Sequence, residues 1–191
     1  MKRDMIAEVA ATLAFSTIAN NDKVGVILFS DKIEKFIPAK KGKTHVLHII
    51  RELLSFEPTS KGTDMAQALQ YFANAQKRHC TAFLISDFIG TGAVDKPLLI
   101  ASNRHEVNAI QIYDRREAEL PNIGLVKFHD AESNSNLWID TSLATIRNNY
   151  AQAWKQNQDS LEQLFTRTGV KHVSVRTDED YVKALMHLFR C

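Results

Sequence analysis

Short apolar runs of strand length alternate in this chain with longer segments of helical periodicity. Three runs have the length of buried strands and end at turn residues or polar residues: VGVILF (24–29), TAFLIS (81–86) and EVNAIQIY (106–113). Apolar residues recur at three- and four-residue spacing in the helical segments, which are 1–20, 44–55, 64–78 and 96–104. This alternation predicts an α/β layer built on a mostly parallel sheet.

Further elements are predicted at the edges of this layer. IEKFIP (33–38) alternates apolar and polar residues and ends at a proline, so it predicts an edge strand hairpinned to VGVILF. GLVKFHD and NLWIDT flank a polar stretch and predict a hairpin added to the core at about 122–140. Residues 140–142 have the composition of a helix cap. The remaining elements are a long helix, a strand and a last helix: 143–165, 172–176 and 178–189.

Composition limits the number of domains and the class of partner. With 191 residues, of which 45% are hydrophobic, the chain can bury one sizeable core, so we expect a single domain over 1–191. Lys and Arg number 24 against 22 acidic residues, and the basic stretch 39–45 lacks interleaved aromatic residues, so we expect no nucleic-acid partner. No apolar run approaches the roughly 20 residues of a membrane span. Two cysteines without zinc spacing fit a reducing compartment, and we expect a cytoplasmic protein.

The stretch GTD at 62–64 places a glycine, a hydroxyl and a carboxylate between two predicted helices. One interpretation is helix capping, either by Thr63 alone or by Asp64, which forms a capping-box pattern with Gln67. In this interpretation Gly62 lets the chain turn into the helix. The other interpretation is that these oxygens line a binding site, and the sequence around them leaves both open.

A second polar signal follows the strand TAFLIS, where Ser86 and Asp87 come at its carboxyl end. In open α/β sheets, ligands bind outside the carboxyl ends of the strands, so a carboxylate there is well placed for function. Together, Thr63 and Asp87 are hard oxygen donors of the kind that hold Mg²⁺. Ser30 and Asp31 follow the first strand and are predicted to line the same rim.

Several separated blocks of the chain resemble a known bacterial family. The similarity is to the von Willebrand factor A-like proteins grouped as domain of unknown function fifty-eight. It lies in the stretch from VGVILF to LSFEP and in KGTDMAQAL, FLISDF, RREAELPNIGLV and TDEDYV. The resemblance implies a Rossmann-like sheet with helices on both faces and a metal-ion-dependent adhesion site, to which Thr63 and Asp87 correspond. It also implies an adaptor or co-chaperone that works with a MoxR-type AAA+ ATPase.

The chain departs from this family at its start. The family's site begins with a D-x-S-x-S motif on a strand that precedes the helix beginning here at Lys2, and neither strand nor motif is present. The Mg²⁺ site is therefore expected to be incomplete, and weak or absent. In the family the missing strand lies between VGVILF and TAFLIS, so its absence leaves a gap of about 10 Å. We expect a chain truncated at Met1, which closes the gap itself or forms a homo-oligomer through the exposed edge.

No enzyme motif is legible, so a catalytic function is not expected. The sequence lacks a G-x-S-x-G elbow and a G-x-x-x-x-G-K-[ST] loop, and His45 and His48 lack the glutamate of a zinc-protease helix. Two alternatives to the metal-dependent adaptor remain. One is a metal-independent interaction domain, and the other is a receiver-like phosphoacceptor that uses Asp87 at its strand end.

Overall fold

The computed structural model describes residues 2–60, 62–90, 92–129 and 136–190. The helices in these ranges are α1 (Lys2–Ala19), α2 (Lys43–Ser55), α3 (Met65–Ala75), α4 (Asp95–Arg104), α5 (Arg115–Ala118), α6 (Ala144–Thr168) and α7 (Tyr181–Arg190). The strands are β1 (Val24–Phe29), β2 (Ile33–Lys40), β3 (Thr81–Ser86), β4 (Glu106–Tyr113), β5 (Leu125–His129), β6 (Asn136–Asp140) and β7 (Lys171–Arg176). The predicted α/β order is confirmed.

A parallel sheet with the strand order β3-β4-β7 forms the centre of the fold. Strand β4 is hydrogen-bonded on both sides, and all its residues from 107 to 112 are buried. Because a strand in this position contacts helices on both faces, it requires apolar side chains in both directions. Val107, Ala109, Ile110 and Ile112 meet this requirement.

Helices cover both faces of this sheet, as the sequence predicts. On one face, α3, α4 and α6 bury a cluster that includes Leu69, Leu98 and Phe165, and the ring of Phe165 lies edge-on to that of Phe88 at 5.3 Å between centroids. On the other face, α1 and α7 pack Val9 and Leu185 against the isoleucines of β4, within a second cluster. The parallel pairing beneath these helices places the carboxyl ends of β3, β4 and β7 at one edge of the sheet.

Strands β1 and β2 form a separate antiparallel hairpin. Close backbone contact within it requires a glycine at position 25, since a Cβ there would lie 2.7 Å from the carbonyl oxygen of Ile37. The turn is closed by the amide of Ser30, which donates to the carbonyl of Lys32 at 2.9 Å. Helices α2 and α3 both contact the hairpin, and Phe29 of β1 packs against the same core cluster as Leu84 of β3.

The strands β1 and β3 each keep one edge unpaired within the described part of the chain. Strand β1 pairs with β2, and strand β3 pairs with β4, but no ladder joins the hairpin to the parallel sheet. Helix α1 contacts α2 beside the hairpin and β3 and β4 in the sheet, so helix packing connects the two parts. The gap predicted from the sequence lies between these same two strands, and truncation at Met1 stays a prediction.

The added hairpin is formed by β5 and β6, which pair in register from Leu125 with Asp140 to His129 with Asn136. Its base is fastened by Thr141, whose fully buried hydroxyl donates to the carbonyl of Gly124 at 2.7 Å and accepts from the amide of Ile123 at 3.0 Å. Residues 130–135 of the predicted hairpin lie outside the described residues.

The predicted cap of α6 is wrong. The N-cap residue is Leu143, without a side-chain hydrogen bond, and Asp140 instead accepts from the amide of Ser142 at 2.9 Å. The guanidinium of Arg147 donates to the carbonyls of Thr141 and Ser142 at 2.6 and 2.8 Å. The polar stretch 140–142 therefore forms a turn before the helix, and a side chain inside the helix holds that turn.

The two unpaired edges generate a test by amide hydrogen exchange. We expect the amides of β4 to exchange slowest, and the amides of β1 and β3 that face away from their single partners to exchange about tenfold faster or more, because they are not bonded within a ladder. Residue-resolved exchange measured by nuclear magnetic resonance checks this. Equal protection of β1, β3 and β4 in the monomer would show that the edges are covered.

Candidate functional site

Polar side chains gather where the strands end, and they form two hydrogen-bonded groups. We call the first the hairpin cluster; it lies at the β1–β2 turn and consists of Ser30, Asp31, Glu34, Thr59 and Ser60. We call the second the sheet cluster; it lies beside the carboxyl ends of β3, β4 and β7 and consists of Lys2, Asp87, Asp114, Glu117 and Thr177. We call the two clusters collectively the carboxyl rim, because one follows the carboxyl end of β1 and the other follows the carboxyl ends of β3, β4 and β7.

The loop before α3 joins the hairpin cluster directly. Asp64 caps α3, because its carboxylate accepts from the amide of Gln67 at 2.8 Å. Its own amide donates to the carbonyl of Ser30 at 2.8 Å. A Cβ on Gly62 would lie 3.4 Å from that of Asp31, which is ordinary contact. Four residues predicted for the rim, Ser30, Asp31, Gly62 and Asp64, are thus neighbours.

Glu34 organises the hairpin cluster. Its carboxylate accepts from the hydroxyl of Ser30 at 2.7 Å, and from the amide and hydroxyl of Thr59 at 3.0 and 2.8 Å. Ser60 donates in turn to Asp31 at 2.7 Å. Hydrogen bonds from Ser30 and then Thr59 stabilise the carboxylate form of Glu34 and lower its pKa. These contacts hold the 59–60 loop against the β1–β2 turn.

Asp87 follows β3 and is fixed by both its side chain and its backbone. Its carboxylate accepts from the ammonium of Lys2 at 2.8 Å. Its backbone carbonyl accepts from the side-chain amide of Gln111 at 3.3 Å, and the buried Gln111 accepts from Ser174 at 2.8 Å. The next residue, Phe88, has a φ of 54° and is 1% exposed. A left-handed, core-anchored residue of this kind restricts the loop that carries Asp87.

The sheet cluster continues from Lys2 to α5. The same ammonium that binds Asp87 donates to Glu117 at 2.5 Å. Glu117 also accepts from the amide of Asp114 at 3.1 Å, and Asp114 accepts from the amide of Arg116 at 2.9 Å, which makes a capping box around α5. The hydrogen bond from Arg116 and then that from Thr177 lower the pKa of Asp114. The capping box of α5 therefore places Asp114 and Glu117 in the sheet cluster, where Glu117 binds Lys2.

The two residues predicted as metal ligands have different surroundings. Thr63 is exposed on the loop before α3, whereas Asp87 is occupied by Lys2. Ser86 is turned back into its own loop, where its hydroxyl accepts from the amide of Phe88 at 3.2 Å. In the residues that the structure describes, no three His, Cys, Asp or Glu side chains are grouped as metal ligands. This donor set does not fit Mg²⁺, which requires near-octahedral oxygen ligation.

Sequence reasoning missed Lys2, Glu34 and Glu117. A signal was available for Glu117, because Asp114 and Glu117 have the spacing of a capping box. Glu34 alternates with apolar residues in its strand and looks like any solvent-facing residue there. No local signal identifies Lys2, since its partners lie 85 and 115 positions away in the chain.

The chain matches a family and proteins of known sequence. The family described as "Protein of unknown function DUF58" matches residues 1–160. A Mycobacterium tuberculosis protein described as uncharacterized is 29% identical over 185 residues, which are 95% of this chain and 57% of that relative. An uncharacterized Mycobacterium avium protein is 28% identical over 158 residues, which are 81% of this chain and 92% of that protein. The chain thus spans little more than half of the M. tuberculosis relative.

Two solved structures share the fold. The hypothetical protein BatB of Bacteroides thetaiotaomicron superposes with a TM-score of 0.53, and an aerotolerance-related membrane protein of Bacteroides fragilis with 0.56. Each is 15% identical, and each match covers 97% of this chain and 89% of the other. This likeness concerns the fold alone, and it agrees with the predicted von Willebrand A-type sheet. Among the described helices, none has the length and apolar character needed to cross a bilayer.

The lowered pKa of Glu34 generates a pH-dependent prediction. A carboxylate whose pKa falls on folding stabilises the folded state above its unfolded value, here 4.5, and this stabilisation disappears as the pH falls through the folded pKa. We expect the amide resonance of Thr59 to shift with a midpoint below 4.5. In Glu34→Gln this titration should vanish. A Thr59 shift that persists in the variant would assign the effect to another group.

Proposed function

We propose that this chain, which belongs to the DUF58 family of proteins of unknown function, is a non-enzymatic interaction domain whose carboxyl rim binds a protein partner. The partner in this proposal is a MoxR-type AAA+ ATPase, for which the domain is a cytoplasmic adaptor or co-chaperone. The observation that supports it best is the rim itself, where hydrogen bonds hold polar side chains from separate elements in two prearranged clusters. Prearranged side chains lose little entropy on binding.

A metal-independent contact is favoured over one bridged by Mg²⁺. The carboxylate of Asp87, the charged member of the predicted metal pair, already has a cation partner in Lys2. Thr63 remains exposed and can contact a partner directly. In the proposed complex, Thr63, Asp31 and the surrounding loop therefore bind the partner with their own hydroxyl and carboxylate oxygens.

The surroundings of a cysteine–histidine pair argue against catalysis. The thiol of Cys80 lies 3.7 Å from Nδ1 of His105, a distance that invites comparison with a nucleophile and its base. Burial raises the pKa of the Cys80 thiol, and burial followed by the charge of Arg104 lowers that of His105. Both shifts favour the neutral forms, so the pair lacks the thiolate and imidazolium of an activated cysteine.

The proposed rim contact can be tested with a variant that leaves the core intact. Thr63→Ala should raise the Kd for a purified MoxR-type ATPase about five- to thirtyfold, equivalent to about 1–2 kcal/mol, if Thr63 is central to the interface. Thr166→Ala is the matched control, because this exposed threonine lies near the end of α6 that leads into β7. Biolayer interferometry measures binding, and thermal unfolding verifies that both variants fold. Equal affinities of Thr63→Ala, Thr166→Ala and the unmodified chain would contradict this rim contact.

The absence of catalysis is a separate proposal with its own test. We expect no ATPase, phosphatase or esterase activity of the purified chain above a heat-treated sample, because the sequence has no recognisable nucleophile-and-base motif and the Cys80–His105 pair favours its neutral forms. Acetyl phosphate should also fail to label Asp87. Stoichiometric phosphorylation that is lost in Asp87→Asn would instead support the receiver-like alternative.

A further inference from the structure

The start of α1 places a cation beside acidic groups of the carboxyl rim. Lys2 is the first residue of α1 that the structure describes. Its side chain is 26% exposed, so partial burial of the ammonium is unfavourable. A lysine is stable in such a position when nearby carboxylates compensate for this burial.

Two carboxylates from different elements provide that compensation. Asp87 at the end of β3 accepts from the ammonium at 2.8 Å, and Glu117 of α5 accepts at 2.5 Å. Burial alone would lower the pKa of Lys2, but its hydrogen bonds to Asp87 and Glu117 and their charges outweigh burial and raise it. The charge of Lys2 also helps to lower the pKa of Asp114, although the hydrogen bonds from Arg116 and Thr177 are larger causes.

The ammonium of Lys2 lies between carboxylates as a bound cation would, but it belongs to the chain itself. The ammonium between Asp87 and Glu117 offsets one of their two negative charges and joins three elements: α1, the end of β3 and α5. With the ammonium in this position, Asp87 is not an open ligand for a divalent ion. Thr63 and Asp87 therefore cannot act as the pair predicted from the sequence while this ion pair is intact.

We propose that the ammonium of Lys2 is the built-in cation of the carboxyl rim, and that Asp87 and Glu117 hold it in place of a divalent metal. Lys2 is then a positioning residue, which fastens the start of α1 to the sheet and sets the charge of the rim. This role goes beyond the proposed partner contact, since it concerns how the rim is assembled before any partner binds.

Thermal unfolding of Lys2→Met and a matched control tests this role. Lys77→Met removes one positive charge from an exposed position and is the control. The melting temperature of each protein is measured in three buffers, which contain EDTA, about 10 mM MgCl₂, or NaCl at the ionic strength of the MgCl₂ buffer. Lys2→Met should melt about 2–4 °C below the unmodified chain and Lys77→Met should not.

The response to magnesium distinguishes this role from ordinary packing. In the unmodified chain and in Lys77→Met, MgCl₂ should raise the melting temperature no more than the matched NaCl does. In Lys2→Met, MgCl₂ should restore part of the lost stability, because Asp87 and Glu117 are then two carboxylates without their cation. The double variant Lys2→Met, Asp87→Asn should lose this restoration. A packing role alone would lower the melt without creating a magnesium response.

Two results would overturn the proposal. One is saturable binding of Mg²⁺ to the unmodified chain in isothermal titration calorimetry that disappears in Asp87→Asn, since this would make Asp87 a metal ligand. The other is a Lys2→Met protein that melts like Lys77→Met and gains no magnesium response. If Lys2→Met does not fold, calorimetry of the unmodified chain and of Asp87→Asn decides alone, and the absence of saturable binding in both supports the proposal.

Discussion

The fold depends on the double burial of β4. This strand is paired on both edges, and its residues from 107 to 112 are buried under helices on both faces. Fixing β4 also fixes the register of β3 and β7, because both neighbours run parallel to it and pair residue by residue. The ends of the three strands consequently meet at one edge, and the acids that follow β3 and β4 are brought together without any local preference for each other.

The same constraint explains which parts of the fold can be predicted from sequence. Strands such as VGVILF and TAFLIS can be predicted because a buried strand requires a run of apolar residues of strand length. The cap of α3 is predictable in part: the sequence offers Thr63 or Asp64, and the structure has Asp64, whose carboxylate accepts from the amide of Gln67 three residues later. The start of α6 is not, because the carboxylate of Asp140 accepts from the amide of Ser142 within the preceding turn and does not cap the helix. The composition of 140–142 is the same for a turn and for a cap, and the contacts of Arg147 with the carbonyls of this turn lie outside the local pattern.

The candidate site is less predictable than the fold, for a related reason. The stretches around Ser30, Gly62 and Asp87 could be recognised because each follows or precedes a legible element. Their partners could not. Glu34 accepts from Thr59, which lies 25 positions later and beyond α2, and Lys2 donates to Asp87 across 85 positions of sequence, so both contacts exist through the tertiary packing alone. The position of Asp87 at a strand end could therefore be predicted, but its ion pair with Lys2 could not.

The two clusters of the rim stabilise it in different ways. In the hairpin cluster, hydroxyls and an amide satisfy Glu34 and Asp31, and the principal contacts are hydrogen bonds that hold a loop to a turn. In the sheet cluster, the ammonium of Lys2 balances acids from β3 and α5, and the contact is largely one of charge. Strand pairing does not join the hairpin to the parallel sheet among the described residues. The relative position of the two clusters consequently depends on helix packing: α3 contacts both strands of the hairpin and α4, and α1, which carries Lys2 in its first turn, contacts α2, β3 and β4.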